Sequence, residues 1–394
     1  VGRYDHQRSY NNMDKRQFLK TLGKGALASM ALPALYSCGA RRPAVYPLVE
    51  GLPTNWIWMR PQLGLSDDEW KQIFGRIREA GIEAVLPQIF NSHEALFEIG
   101  VPGVPVREAL LERLIPLAHE AGLQIHAWMW SMPCNIPEII EKHPDWFAVN
   151  GKGEPAHEKP AYVDYYKFLC PCHPEVQDFV QARVEALGRI EGLDGIHLDY
   201  IRVPDVILAE GLQPKYGIVQ DREYPEYDYS YSVYCREQFK AQSGIDPLTD
   251  LEDPSENEAW RQFRYDAVSN LVNGRLVPTA HRYGKKITAA VFPNWESVRQ
   301  QWHKWGLDAF LPMLYQGFYN EDINWIGQQV KAGLERLGND KPIYSGLFIP
   351  QLSPGELSQA IRVSRQAGAS GVCLFDHSAL KEEHWEVIKK ELAS

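Results

Sequence analysis

At 394 residues, with 44% hydrophobic and 23% charged residues, the chain has the balance of a folded protein with a large core, which excludes wholesale disorder. A net charge of −10, with no Lys/Arg cluster after the N-terminal segment, excludes a nucleic-acid face and suits a neutral or cationic partner better. The 12 Trp and 19 Tyr are many for this length; such flat rings fill cores and also serve as platforms for sugar faces.

Residues 1–50 read as an address. From Met13 a basic stretch is followed by a short apolar run from about Ala26 to Tyr36, then Ser37 and Cys38. The run is far below the roughly 20 residues needed to cross a bilayer, so it reads as a signal peptide. Leu35-Tyr36-Ser37-Cys38 resembles the lipobox of bacterial lipoproteins, which makes Cys38 the expected lipidation site. Lys15-Arg16-Gln17-Phe18-Leu19-Lys20 resembles a twin-arginine export motif with Lys in the first place. Arg41-Arg42-Pro43 begins a tether, and residues 51–394 are expected to form one domain.

That domain alternates strand-like runs with segments of helical spacing. The strands are expected over Trp56–Arg60, Ile82–Gln88, Gln124–Trp130, Gly195–Asp199, Lys286–Phe292, Ala309–Tyr315, Pro342–Ile349 and Gly371–Phe375. Helices are expected over Asp67–Ala80, Ala109–Ala121, Pro174–Ile190, Glu256–Tyr283, Val298–Trp305, Asp322–Leu337, Ser353–Ala367 and Glu382–Leu392. Ser66 with Glu69 three residues on is an N-terminal capping signature, and Gly81, Gly122 and Gly368 supply C-terminal stops. Eight such alternations predict an α/β fold, a (β/α)8 TIM barrel. Two connections are much longer than a βα turn needs: Ser131–His173 after strand three, and Ile201 to about Ser255 after strand four, which is rich in tyrosine. Both follow strand C-termini, where barrel enzymes place their sites, so both are expected to wall a cleft.

The stretch GLDGIHLDYIRVP, residues 192–204, is a buried strand that ends on a carboxylate, Asp199. Alternation sets His197 and Asp199 on the inner face, with Tyr200 and Arg202 just beyond. In the same way His126, Trp128 and Trp130 face inward from strand three, and Trp58 and Arg60 from strand one. Gln88 and Asn91 close strand two, Asn294 and Glu296 follow strand five, Tyr315 ends strand six, and Asp376 follows strand eight. A histidine inside a barrel commonly completes a hydrogen-bonded core, so His126 and His197 have that reading beside contact with a ligand. An ionised carboxylate at Asp199 beside aromatic rings is costly without a partner or a task, and Arg60 or Arg202 is the structural partner to weigh against catalysis.

The six cysteines show no CxxC pair and no regular framework, so a disulfide scaffold is not expected. Cys170-Pro-Cys172-His173 is too narrowly spaced for a zinc site, and no metal or other cofactor is expected.

Residues 192–204 resemble the strand-four motif of glycosyl-hydrolase-like family 10, bacterial envelope proteins with a barrel domain. Gln124-Ile125-His126-Ala127-Trp128 resembles the family's HAW strand, residues 166–176 its "YLNPxHPEV" segment, and residues 308–315 its "DYIAPQIY" strand. The resemblance implies a glycan-cleaving activity in the cell envelope, with Asp199 at the motif's acidic position. Many members carry a second acidic residue directly after it, where this chain has Tyr200, and Met313 stands where the family often has Gln.

Cleavage of a glycoside usually needs two carboxyl groups. Asp199 is assigned the base or nucleophile role, Glu296 the acid role, and Asp376 competes with Glu296. The expected function is a glycoside hydrolase acting on a polysaccharide or oligosaccharide, exported and held at the membrane of the cell envelope by an N-terminal lipid. The alternative is a non-catalytic glycan-binding lipoprotein on the same barrel. A metal-dependent hydrolase would want a His-x-His on strand one, which is missing.

Overall fold

In a computed structural model, residues 51–393 are described; the expected signal peptide, the lipobox Cys38 and the tether lie outside them. The eight strands are β1 (Asn55–Met59), β2 (Ala84–Phe90), β3 (Gln124–Trp130), β4 (Gly195–Asp199), β5 (Lys286–Val291), β6 (Ala309–Pro312), β7 (Tyr344–Phe348) and β8 (Gly371–Phe375). All pair in parallel, in the order β6-β5-β4-β3-β2-β1-β8-β7. Isolated parallel bridges, Phe310 to Ile343 and Met313 to Gly346, join β6 to β7 and bring the barrel close to closure. The fold is the expected (β/α)8 barrel.

Helices surround it: α1 (Asp67–Glu79), α2 (Leu110–Glu120), α3 (Pro137–Lys142), α4 (Pro174–Gly188), α5 (Val233–Ser243), α6 (Glu258–Leu271), α7 (Val277–Arg282), α8 (Ile323–Arg336), α9 (Pro354–Gln366) and α10 (Glu382–Leu392). Ser66 and Glu69 form the expected capping box on α1, and Ser353 with Glu356 forms a second on α9. The expected helix over 256–283 is α6 and α7 joined by one π turn, Val272–Leu276. The helix expected over 298–305 does not form. Arg299 takes a left-handed φ of 53°, which a helix cannot absorb, and the stretch becomes two short 3₁₀ turns. Among the described residues, no helix is long and apolar enough to cross a membrane.

Strand alternation divides the core in two. Ile57, Met59, Val85, Ile125, Met129, Ile196 and Leu198 face outward into the layer shared with the helices. Trp56, Trp58, Leu86, Trp128, Leu311 and Tyr344 fill the barrel. The filling leaves no room at Gly195, where a Cβ would lie 2.1 Å from Nδ1 of His126. Glycine at that point of the strand-four motif is therefore a packing requirement.

Both long connections emerge at the strand C-termini. The first carries α3 and the second α5. A disulfide between Cys172, just before α4, and Cys235, within α5, ties them together across 63 residues. This single bridge among the described residues is no scaffold, but the cysteine spacing in the sequence did not reveal it. The two cysteines are distant in sequence and only the tertiary fold brings their Cα atoms to 5.3 Å. Closing a loop of that length is worth about 4 kcal/mol in the chain-entropy account.

Candidate functional site

Asp199 ends β4, and its position is fixed from both sides. Next to it in the sheet, β3 is anchored by the buried Arg183, whose guanidinium donates to the carbonyls of Trp130 and Ser131 at 3.4 and 2.6 Å. Ser131 N–H in turn donates to the Asp199 carbonyl at 2.8 Å. The Asp199 carboxylate accepts the Trp128 indole N–H at 3.0 Å and the Tyr200 backbone N–H at 2.7 Å. Tyr200 makes the second bond from a left-handed conformation, φ 51°, a strained arrangement for an aromatic residue. Its ring is held against Trp130 at 4.7 Å and against Tyr166 and Phe168.

With Asp199 only 8% exposed, burial pushes its pKa up from 3.8 to about 6, against the pull of the Tyr200 N–H, the Trp128 indole and the charges of Arg202 and Arg60. A carboxyl with this pKa exchanges protons near neutral pH, the property expected of a general acid or base.

Asp199 opens on a cavity of about 280 Å³ at the C-terminal mouth of the barrel. Of the residues expected at the site, Arg60, Trp128, Trp130, Tyr200, Arg202 and Tyr315 line the same cavity. The Trp130 indole N–H and the Tyr315 hydroxyl are buried there without a partner in the protein, which leaves both free to bond a ligand hydroxyl.

The structure places the remaining expected residues elsewhere. His126 and His197 lie inside the barrel below the mouth, fully buried. His126 Nε2 lies 3.0 Å from Gln124 Oε1, and burial lowers its pKa to about 4. His197 accepts the Trp58 indole N–H at 3.0 Å and meets Thr288 Oγ1 at 2.8 Å. These three are core, and Trp58 is 1% exposed. Gln88 and Asn91 line a different recess, which touches the first only through Arg60. Asn294 accepts the hydroxyl of Tyr319, itself a cavity residue, at 2.9 Å. Glu296 is exposed in the turn after β5 and does not line the cavity. Asp376 is 3% exposed, follows a cis peptide bond, and faces Arg60 at 3.4 Å.

Several cavity residues were not foreseen individually. Tyr162, Tyr165 and Tyr166 come from the first long connection; Asp205, Leu212 and Lys215 come from the second, as does Tyr216. Asp205 is a second cavity carboxylate, but Arg202 holds it at 3.0 Å, and rings of Tyr166, Phe168, Tyr200 and Phe292 enclose Arg202 within 6 Å. A further cavity of about 320 Å³ shares Tyr162 and Tyr216 with the first and is walled by Tyr227 and Tyr229. There Tyr162 and Tyr227 stack at 4.7 Å. The tyrosine-rich composition of the connections was the available signal.

Residues 54–210 match the glycosyl hydrolase-like 10 family. The matched residues hold β1 to β4, Asp199 and both Arg60 and Arg202, whereas Glu296, Asp376 and the 308–315 strand lie beyond them. No curated protein sequence matches the chain. Among solved structures the fold is similar to the glycoside hydrolase domain of PgaB (BpsB) from Bordetella bronchiseptica, with a TM-score of 0.67, 14% identity, and 86% and 99% of the two chains covered. It is also similar to the β-amylase catalytic domain of Paenibacillus polymyxa, with a TM-score of 0.61, 10% identity, and 86% and 97% covered. The chain is a TIM barrel, similar over residues 54–210 to the glycosyl hydrolase-like 10 family and in fold to these two glycosidase domains.

Folding raises the Asp199 pKa, so between pH 4 and 6 the folded chain keeps a proton that the unfolded chain has lost. Stability from this group is complete at low pH and falls as pH rises through that window, by about 3 kcal/mol at most. Asp199→Asn, which cannot ionise, is expected to exceed the parent in stability at pH 8 by about 1–3 kcal/mol and to converge with it near pH 4. Thermal unfolding of both chains across pH reads this; a difference independent of pH would mean that Asp199 does not titrate in the window.

Proposed function

We propose that the protein is a glycoside hydrolase whose proton donor is Asp199. The observation that carries this reading is the buried carboxyl with a pKa of about 6 at the floor of an aromatic cavity. The base or nucleophile role expected from the sequence suits a group ionised at every working pH, whereas burial keeps Asp199 protonated up to about pH 6 and there suits it to protonating the leaving glycosidic oxygen. For the group acting on the opposite face of the sugar, Asp376 is favoured over Glu296. Its partner Arg60 lines the cavity, and Glu296 is exposed away from it. Trp130 and Tyr200 offer faces for pyranose rings, and the adjoining tyrosine-lined cavity favours a sugar chain over a single unit.

A second reading is a glycan-binding barrel without turnover. It is favoured by Tyr200 standing after Asp199, and by the tight Arg202 pairing of the other cavity carboxylate, Asp205. Export and lipid attachment at Cys38 are part of the proposal. The Cys172–Cys235 bridge supports them, since such bonds persist mainly in oxidising compartments outside the cytosol.

Reducing ends released from a panel of polysaccharides test the activity. Asp199→Asn is expected to lower turnover by about 10²- to 10⁴-fold while ligand binding is retained. In the parent, kcat/KM is expected to fall above about pH 6, where Asp199 loses its proton. Activity that rises through pH 6 would return Asp199 to the base role; full activity of the variant would remove it from the mechanism; binding without turnover by the parent would establish the second reading. Radiolabelled palmitate should enter the full chain expressed in bacteria and be lost with Cys38→Ala; unchanged labelling would refute that attachment site.

A further inference from the structure

Three sulfurs meet where the two long connections touch. Cys170 and Cys172 belong to the first, Cys235 to the second, and their Sγ atoms all lie within 4.8 Å of one another in a buried setting. Cys172 and Cys235 are bonded. Cys170 keeps its thiol, 3.6 Å from Cys235 Sγ and 2.9 Å from Ser232 Oγ. Tyr231, Phe239, Trp260 and Phe263 close around the group and shield it from outside reagents. Among the described residues, the other free cysteines, Cys134 and Cys373, are buried away from this cluster.

We propose that this cluster is an exchangeable disulfide site, in which either cysteine of Cys170-Pro171-Cys172 can bridge to Cys235. The step is an internal thiol–disulfide exchange. The Cys170 thiol gives up its proton and attacks Cys235 Sγ. The Cys170–Cys235 bond forms as the Cys172–Cys235 bond breaks, and the Cys172 thiolate that leaves takes up the proton. One disulfide and one thiol stand on each side, so no outside oxidant or reductant is consumed.

Either pairing spans the same two connections, because Cys170 and Cys172 are two residues apart on one side and Cys235 sits in α5 on the other. The tether between the walls of the cavity therefore survives exchange. Burial raises the Cys170 thiol pKa, and the Ser232 hydroxyl opposes this by bonding the sulfur. A mostly protonated Cys170 makes exchange slow.

The test is disulfide mapping of the full chain, alkylated under denaturing conditions without reduction and then digested for mass spectrometry. After incubation of the folded parent without added thiol or oxidant, a minor Cys170–Cys235 peptide is expected beside the major Cys172–Cys235 peptide. Cys172→Ser is expected to carry the Cys170–Cys235 bond and to unfold at a temperature close to that of Cys170→Ser, which keeps the Cys172–Cys235 bond. Cys235→Ser should lose the tether and unfold below both. The proposal is overturned if a folded Cys172→Ser chain has Cys170 and Cys235 both alkylated. Should that variant fail to fold, absence of any Cys170–Cys235 peptide from the parent overturns it equally.

Discussion

The burial of one carboxyl group governs the site. Asp199 sits at the end of β4 with both oxygens bonded by donors that come from the barrel itself, the Trp128 indole and the Tyr200 N–H. Desolvation outweighs those bonds and the nearby arginines, so the group is held as an acid that ionises near pH 6. The cost of placing a carboxyl there falls on stability, and its return is a proton poised where ligands reach the barrel mouth.

The support beneath Asp199 is unusually polar for a barrel interior. Trp58, His197 and Thr288 form a hydrogen-bonded row across β1, β4 and β5, and Trp56 meets the His126 ring edge-on at 4.6 Å. Gly195 admits His126 by having no side chain. This row fixes the Trp58 indole below the cavity, and a tightly packed layer of this kind holds the side chains above it within a fraction of an ångström. Above it, the Arg202–Asp205 pair and its ring of aromatic neighbours join the first connection to the second.

Much of this was legible in the sequence because strand periodicity is local. The bounds expected for β3, β4 and β8 coincide with those found, and the inward sets Trp56/Trp58 and Trp128/Trp130 follow from alternation alone. What was hidden depends on contacts between distant segments. Arg299 turns left-handed and its guanidinium bonds Glu223 in the second connection, which ends the helix suggested by local spacing. Asp205 and Tyr162 sit in irregular connections where no period assigns a facing. Glu296 and Asp376 both follow strand ends in sequence, yet only the packed structure shows one exposed and the other beside Arg60. The disulfide partner of Cys172 is likewise a tertiary fact.

A direct titration of the aspartate carboxyl groups by carbon-13 NMR, with Asp199→Asn as the assignment control, bears on the central claim most closely. The account requires one resonance that titrates near pH 6 in the parent and is missing from the variant. If every aspartate resonance has titrated by about pH 4.5, near the ordinary carboxylate range, the burial of Asp199 does not hold a proton and its role as donor fails.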